Sequence, residues 1–281
     1  MLRLDNLHKR FGSVDALRGL SLDVPRATVF GLLGPNGAGK TTTISIAVGL
    51  LRPDSGAVNL DGAGSPVDPS VRRRIGVAPQ AIALYDELTA AENLDFFATL
   101  YGLDRAIRRA RTDDLLARVG LTDRARDRVK VFSGGMKRRL NLAAALIHDP
   151  PLVLLDEPTA GVDPQSRNAI LDIVRSLRDE GRTVLYTTHY MEEAQRICDR
   201  VAIVDHGRVL AEGTVDELIA SRGGASVVTI ETDAGHIRIE TADPVAELTA
   251  RLRSPDIRGV RVDRPDLESV FLHLTGRSLR D

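Results

Sequence analysis

The segment GPNGAGKT at residues 34–41 constrains the fold of this chain more than any other stretch. It lies between an apolar run, TVFGLL at residues 28–33, and a helix-like segment that begins near Lys40. Its glycines let consecutive backbone N–H groups turn inward around a phosphate, Lys40 reaches the β- and γ-phosphate oxygens, and the Thr41 hydroxyl is available to Mg²⁺. A glycine-rich turn without a ligand is the alternative, but the order of strand, loop and helix favours a phosphate-binding loop.

Strand-like and helix-like segments alternate along most of the chain. Because such alternation is typical of a parallel sheet with crossover helices, the sequence predicts an α/β fold. Between residue 92 and about residue 147 the apolar residues follow a helical period, which predicts a helical insertion. The strand-like segments are residues 2–7, 20–24, 28–34, 152–155 and 183–188, and the helix-like segments are residues 164–179 and 191–198.

The composition limits the domain count and the kinds of partner. The 281 residues, of which 43% are hydrophobic and 27% charged, predict one large domain with an appendage, or two domains. A net charge of −1 gives no electrostatic reason to expect nucleic acid as a partner. The single cysteine, Cys198, excludes an internal disulfide and is interpreted as a small buried apolar residue. No apolar run approaches the roughly 18 to 20 residues that span a bilayer, so we expect any membrane-embedded part to be another chain.

A Ser-Arg-Gly-Gly break at residues 221–224 separates a final segment with its own strands and helices. The strand patterns are SVVTIET and HIRIET, and the helical patterns are VAELTARL and LESVFLHL. The sequence therefore predicts a first domain over residues 1–222, with a helical subdomain at about residues 87–150. A small C-terminal α+β domain is predicted over residues 223–281.

Two carboxylates follow the buried strand LVLL. Asp156 and Glu157 stand at its carboxyl end, which is where ligands of open α/β sheets collect. In this position Asp156 is suited to orient Mg²⁺ or its waters, and Glu157 is suited to polarise an attacking water. A solvated acidic strand end is the alternative, and the upstream phosphate-binding loop favours the functional interpretation.

The stretch FSGGMKRRL at residues 132–140 places a glycine pair and three basic residues at the head of a helix. The N-terminus of a helix attracts anions, because its free N–H groups lie at the positive end of the macrodipole. A serine N-cap and a flexible glycine pair before a core-facing helix explain the same residues locally. The sequence thus predicts two anion-binding sites, the phosphate-binding loop and this helix N-terminus, although one phosphate-bearing ligand would need only the first.

Together these residues resemble the ATP-binding cassette (ABC) ATPases. The phosphate-binding loop, Gln80, FSGGM, LVLLDEP and His189 follow the order of that family across residues 1 to about 220. The resemblance implies a P-loop NTPase core with a parallel sheet, an antiparallel β subdomain and a helical subdomain. It also implies ATPase activity with ATP and Mg²⁺. In this family the signature serine and glycines contact the γ-phosphate of a nucleotide bound by a second subunit, so Ser133, Gly134 and Gly135 are expected to act in trans within an ATP-dependent homodimer.

The resemblance implies roles for four more residues. Phe11 is expected to stack on adenine, with a core position as the alternative, and Gln80 to sense Mg²⁺ and water while contacting a membrane partner. His189 is expected to hydrogen-bond the γ-phosphate. Asp163 corresponds to an aspartate that crosses to the other subunit, and it also reads as the N-cap of a helix. The expected catalytic residues are Lys40, Gln80, Glu157 and His189; the expected nucleotide-binding residues are Phe11, Gly34, Pro35, Asn36, Gly37, Ala38, Gly39, Lys40, Thr41, Thr42, Ser133, Gly134, Gly135 and Asp163; the expected metal-binding residues are Thr41, Gln80 and Asp156.

Two departures from the commonest wording of the family point to one branch. The signature begins with Phe132 instead of leucine, and residues 160–163 read AGVD instead of SALD. These variants, residues 84–103 and the ending at residues 267–281 resemble the drug- and polyketide-exporting branch. The resemblance implies a peripheral subunit at the cytoplasmic face of the membrane that energises export of a drug-like or lipophilic compound through a separate multi-span permease.

An importer ATPase with a regulatory C-terminal domain is the alternative function. A ribosome- or DNA-acting ABC protein is disfavoured, because neither a second cassette nor a basic face is present.

Overall fold

The computed structural model describes residues 1–251 and 257–276. It divides into two compact units, Met1–Glu212 and Gly213–Asp281. The helix at Val215–Arg222 falls in the second unit by this division, whereas the predicted first domain extends to residue 222. The domain boundary stays a prediction. Residues 277–281, the end of the branch-like C-terminal segment, lie outside the described residues.

Nine strands and eight helices are described between residues 1 and 222. The strands are β1 (Leu2–Phe11), β2 (Val14–Val24), β3 (Val29–Leu33), β4 (Ser55–Leu60), β5 (Ile75–Ala78), β6 (Leu152–Asp156), β7 (Thr183–Thr188), β8 (Arg200–Asp205) and β9 (Arg208–Thr214). The helices are α1 (Lys40–Ala47), α2 (Pro69–Arg72), α3 (Ala90–Leu100), α4 (Arg105–Arg118), α5 (Gly134–Leu146), α6 (Pro164–Asp179), α7 (Met191–Ile197) and α8 (Val215–Arg222), with short 3₁₀ turns at Thr122–Arg124 and Val129–Val131.

The centre of the first unit is a six-stranded sheet in the order β5-β6-β7-β3-β8-β9. The neighbours from β5 to β8 pair in parallel, with Val29 opposite Val184 and Leu152 opposite Thr183. Every residue of β3, β6 and β7 is buried, which explains why apolar residues fill β3 and most of β6 and occupy the middle of β7. The predicted parallel α/β sheet is confirmed.

This strand order places four sequence motifs at one edge of the sheet. The phosphate-binding loop follows β3, and Gln80, Glu157 and His189 come within two residues after β5, β6 and β7. Because β5, β6, β7 and β3 are adjacent and parallel, their carboxyl ends lie side by side. Residues that are more than a hundred positions apart in the chain therefore face one another.

A second, antiparallel sheet in the order β2-β1-β4 covers part of this core. Strand β1 buries Leu2, Leu4 and Leu7, which join the same apolar cluster as Phe30 and Leu32 of β3. The predicted antiparallel subdomain is present. Cys198 is buried, as the sequence analysis expected, and burial raises the pKa of its thiol.

Helices α3, α4 and α5 form the predicted helical insertion. Thr89 caps α3 and exchanges hydrogen bonds with Glu92, so the helix start is well defined. Arg111 of α4 donates to the carbonyl of Leu146 at 2.8 Å, which ties α4 to the end of α5. Of the helices in the described part of the chain, none is long and apolar enough to cross a bilayer.

The second unit contains a three-stranded antiparallel sheet in the order β11-β10-β12. Its elements are β10 (Ser226–Thr232), β11 (Gly235–Thr241), α9 (Pro244–Arg251), β12 (Ile257–Asp263) and α10 (Leu267–Thr275). Val228 and Ile230 of the central strand are buried, as are Val270 and Phe271 of α10. Strand β12 has no counterpart among the predicted strands.

Candidate active site

The phosphate-binding loop connects β3 to α1, and its glycines meet different demands. A Cβ at Gly34 would lie 2.2 Å from the carbonyl oxygen of Val204, so only glycine fits there. Gly39 has a φ of 103° and stands as the N-cap of α1 without a side-chain cap. The N–H groups at the start of α1 are therefore not bonded by a capping side chain and are available to an anion.

Lys40 projects from the first residue of α1 back into this loop. Its Nζ donates to the carbonyl oxygens of Gly34 at 2.7 Å and Pro35 at 3.1 Å. The same Nζ lies 3.1 Å from Oε1 of Glu157. The ammonium is thus held at the inner wall of the loop, next to the end of β6.

Asp156 and Glu157 are adjacent, and the hydroxyl of Thr187 contacts the side chain of the first and the backbone of the second. The hydroxyl of Thr187 on β7 donates to Asp156 Oδ1 at 2.7 Å. The backbone N–H of Glu157 donates to that hydroxyl oxygen at 3.0 Å. Glu157 has a positive φ of 46°, an uncommon conformation for a residue with a side chain. Backbone strain of this kind concentrates at functional sites.

Three predicted catalytic side chains surround the Glu157 carboxylate. Lys40 Nζ lies 3.1 Å from Oε1, and Gln80 Nε2 donates to Oε2 at 3.2 Å. His189 Nδ1 lies 3.3 Å from Oε2, at ion-pair distance but without hydrogen-bond alignment. Glu157 is only 6% exposed, so these contacts are shielded from water. The structure therefore brings Lys40, Gln80, Glu157 and His189 together.

The remaining predicted loop residues differ in exposure. Asn36, Gly37 and Thr41 are exposed, Pro35 and Thr42 are half-buried, and Ala38 is buried. The Thr41 hydroxyl, the Asp156 carboxylate and the Gln80 amide supply oxygen donors, which Mg²⁺ prefers together with phosphate and water oxygens. The donor set thus fits Mg²⁺ that arrives with a nucleotide.

Phe11 ends β1 and is 49% exposed, which excludes the core position that the sequence left open. The Nζ of Lys9 lies 5.7 Å from the centre of its ring. An exposed aromatic ring beside a cation is free to stack on a flat ligand.

The signature stretch divides into an exposed and a packed half. Ser133 is the N-cap of α5, and its Oγ accepts from the Met136 N–H at 3.3 Å. Ser133 and Gly134 are exposed, and a Cβ at Gly134 would meet no atom within 4 Å. A Cβ at Gly135 would lie 2.1 Å from Ser166 Oγ. Gly135 therefore has a packing role inside its own chain, and Ser133 and Gly134 present the open face.

The three basic residues after the signature hold neighbouring segments of the same chain. Lys137 pairs with Asp86 at 2.7 Å, and Arg139 donates to the Val119 carbonyl at 2.5 Å.

Arg138 reaches the site itself. It donates to the carbonyl oxygen of Gln80 and, at 3.4 Å, to that of Ala160. Burial lowers the pKa of Arg138, and the carboxylates of Glu157 and Asp156 oppose that shift. The sequence pattern alone does not assign Arg138 to the site. Its only signal was the run of basic residues.

Asp163 is exposed at the start of α6, and its carboxylate accepts from the Ser166 N–H at 2.9 Å. This hydrogen bond keeps the pKa of Asp163 below its usual range. The predicted N-cap is present. The carboxylate remains on the surface, where the crossing role that the resemblance implied can also be met.

The fold and this site define a nucleotide-hydrolysing enzyme of the P-loop class. A family model described as ABC transporter matches residues 17–160. The chain therefore belongs to the ABC transporter family, as its motifs predicted.

Relatives agree over the full length of the chain. It is 41% identical to the linearmycin resistance ATP-binding protein of Bacillus subtilis (strain 168), across 100% of both chains. It is 42% identical to a daunorubicin resistance ATP-binding protein of Streptomyces coeruleorubidus, across 99% of this chain and 97% of the relative. Among solved structures, it resembles a dimeric ATP-binding cassette in a post-hydrolysis state with ADP and phosphate, at 28% identity and a TM-score of 0.70 over 76% of this chain and 98% of that chain. These findings confirm the predicted fold class, and the chain is an ATP-binding protein and an ATPase.

Proposed function

We propose that two copies of this chain close around two molecules of ATP with Mg²⁺ and drive a separate membrane permease that exports a drug-like or lipophilic compound. One observation carries this proposal. The carboxylate of Glu157 is buried among Lys40, Gln80 and His189, while the signature residues Ser133 and Gly134 are exposed and free to meet a ligand from outside the chain.

Each residue around Glu157 has a distinct task in phosphoryl transfer. Lys40 and the N–H groups of the loop bind the β- and γ-phosphates, and Phe11 stacks on the adenine. Glu157 orients the attacking water and accepts its proton. His189 contacts the γ-phosphate from the end of β7. Thr41, Asp156 and Gln80 would hold Mg²⁺, which neutralises charge on the transferred phosphoryl group.

The exposed half of the signature explains why two copies are needed. A helix N-terminus attracts negative charge, and the γ-phosphate distinguishes ATP from ADP at that position. Ser133 and Gly134 of one copy therefore bind ATP held by the other, and hydrolysis weakens the contact. The dimeric cassette with ADP and phosphate that this chain resembles supports the arrangement.

The relatives support a direction of transport and a cellular location for the proposed subunit. Linearmycin and daunorubicin resistance ATP-binding proteins match almost the whole chain. This supports an exporter subunit at the cytoplasmic face of the membrane. Compound specificity then belongs to the permease.

The proposed dimer is tested with the Glu157→Gln variant. The substitution keeps the size of the side chain but removes the base, so ATP should bind, turnover should fall about a hundredfold or more, and the closed dimer should accumulate. The measurement is molar mass by light scattering with MgATP, with MgADP as the matched control. A monomer under both conditions, with the cognate permease also present, would contradict the proposal.

The permease is tested separately. We expect a neighbouring reading frame to encode a protein with about six apolar spans. This protein should co-purify with the chain from detergent, and loss of the pair should sensitise cells to amphipathic antibiotics. A pair that co-purifies but whose loss reduces uptake of a nutrient would show an importer instead.

A further inference from the structure

A buried carboxylate that was not predicted as a site residue contacts the two loops that carry Glu157 and His189. Glu193 of α7 is 3% exposed. Its Oε2 accepts hydrogen bonds from three hydroxyls: Tyr186 at 2.8 Å, Thr159 at 2.8 Å and Thr188 at 3.2 Å. Burial and this neighbouring carboxylate hold the pKa of Tyr186 well above its usual range, so the phenol stays protonated and continues to donate. A buried charge with this many partners is a fixed point in the structure.

One of these partners holds the backbone on both sides of His189. The Thr188 hydroxyl donates to Glu193 and accepts from the N–H of Tyr190 at 2.9 Å. The turn that carries His189 is therefore closed by a single hydroxyl, and Glu193 anchors that hydroxyl.

The ring of His189 is also linked to Glu193 through neighbouring side chains. Its centroid lies 4.0 Å from that of Tyr190, and the Arg167 guanidinium lies 5.0 Å from the centre of the Tyr190 ring. The Nε of Arg167 is in turn 3.3 Å from Glu193 Oε1, an ion-pair distance without hydrogen-bond alignment. A chain of contacts thus runs from Glu193 through Arg167 and Tyr190 to His189.

Thr159, another hydroxyl that donates to Glu193, belongs to the loop that carries Glu157. Thr159 follows Glu157 by two residues, and its hydroxyl donates to the oxygen of Glu193 that Thr188 also contacts. Glu193 therefore joins the loop after β6 to the loop after β7. These are the two loops whose side chains, Glu157 and His189, lie 3.3 Å apart.

We propose that Glu193 is a positioning residue that fixes the separation of Glu157 and His189, so that ATP binds without it but hydrolysis slows. The inference rests on the proposed contact of His189 with the γ-phosphate. Hydrolysis is sensitive to such positioning, since a shift of about 1 Å in a catalytic group can cost about a hundredfold in rate. Ground-state binding by Lys40 and the loop N–H groups does not depend on that separation.

The test is a double-mutant cycle in kcat at saturating ATP. Glu193→Gln keeps the side-chain volume but removes the charge that faces Arg167 and places an amide among the hydroxyl donors. We expect kcat to fall about 10- to 100-fold with the KM for ATP nearly unchanged. Because Glu193 acts through His189, adding E193Q to H189A should lower kcat no further.

Two other variants separate positioning from loss of structure. Tyr186→Phe removes one donor to Glu193 and keeps the buried ring, so it should give a smaller fall in kcat that also vanishes in H189A. Glu212→Gln is the control for a glutamate paired with an arginine outside the site, because Glu212 is exposed and lies 3.7 Å from Arg200. It should leave kcat unchanged.

The outcomes distinguish the inference from the proposal beneath it. If the effects of E193Q and H189A multiply, or if KM rises as much as kcat falls, Glu193 has only a structural role and the inference is wrong. If H189A alone retains the kcat of the original chain, the proposed role of His189 fails and the inference fails with it.

Discussion

The ammonium of Lys40 lies 3.1 Å from the carboxylate of Glu157, and the two side chains are only 5% and 8% exposed. This pair joins the first residue of α1 to the residue that follows β6. Each side chain compensates the charge of the other, because water has little access to either of them. A residue expected to bind phosphate and a residue expected to activate water therefore also stabilise each other.

This relationship predicts a specific pattern of stabilities. Lys40→Met leaves Glu157 buried with Gln80 and His189 as its remaining partners, so the free energy of unfolding should fall by about 3 kcal/mol. The double variant K40M/E157Q removes both charges and should recover most of that loss. Urea unfolding of the nucleotide-free proteins is the measurement. A double variant no more stable than K40M would mean that the pair does not form in solution.

The two signature glycines should respond differently to alanine. Gly135→Ala forces Ser166 to move and should cost about 1 to 3 kcal/mol of stability. Gly134→Ala adds a methyl group to open space and should change stability by less than about 0.5 kcal/mol. It should still reduce turnover at least about tenfold, because the methyl group occupies the face that we propose meets the phosphate of the partner.

Thermal unfolding and steady-state ATPase rates together check this pair. The variant G135A/S166G relieves the clash and should regain stability. Full turnover in G134A would remove the proposed contact, and an unchanged stability of G135A would contradict the observed packing.

His148 predicts a dependence of stability on acid. Its ring stacks on Tyr101 with centroids 3.6 Å apart, and burial lowers the pKa of His148 from 6.5 to about 4. The nearby Arg111 adds to this shift, while the Ile75 carbonyl and Asp149 oppose it. Between these two pKa values the unfolded chain binds a proton that the folded chain does not, so stability falls as the pH falls. Near pH 4 the loss should approach about 3 kcal/mol.

His148→Gln isolates this effect, because glutamine does not titrate. The difference in unfolding free energy between the original chain and the variant should shrink as the pH is lowered from 7 to 4. A difference that stays constant over this range would show that His148 titrates normally in the folded protein.

Strands whose residues are all buried, on both faces of the sheet, could be predicted from the sequence. Strands β3 and β6 are buried on both faces, and their segments VFGLL and LVLL are therefore continuous apolar runs. Strand β5 has only four residues, and Gly259 interrupts the short alternating pattern of β12, so neither was predicted. The order of strands in the sheet is a long-range property that no local pattern encodes.

The same distinction applies to the site. The phosphate-binding loop, the acidic pair and His189 each follow a strand, so the parallel sheet alone predicts that they converge. Glu193 stands in the first turn of α7, where an acidic residue is usually a solvated partner of the helix dipole. Similarly, nothing distinguishes Arg138 from its basic neighbours until the packing of α5 is known. Burial, and not residue type, reveals these two residues.

The action of the signature in trans is tested with two inactive variants in one mixture. Ser133→Ala keeps its own Glu157, and Glu157→Gln keeps its own signature, so a mixed dimer contains one complete site if the signature acts in trans. If equal amounts are mixed before ATP is added, random pairing should then restore at most about a quarter of the original ATPase rate, although neither variant alone turns over. A mixture no more active than the sum of its parts would show that each chain completes its own site and that the signature does not act in trans.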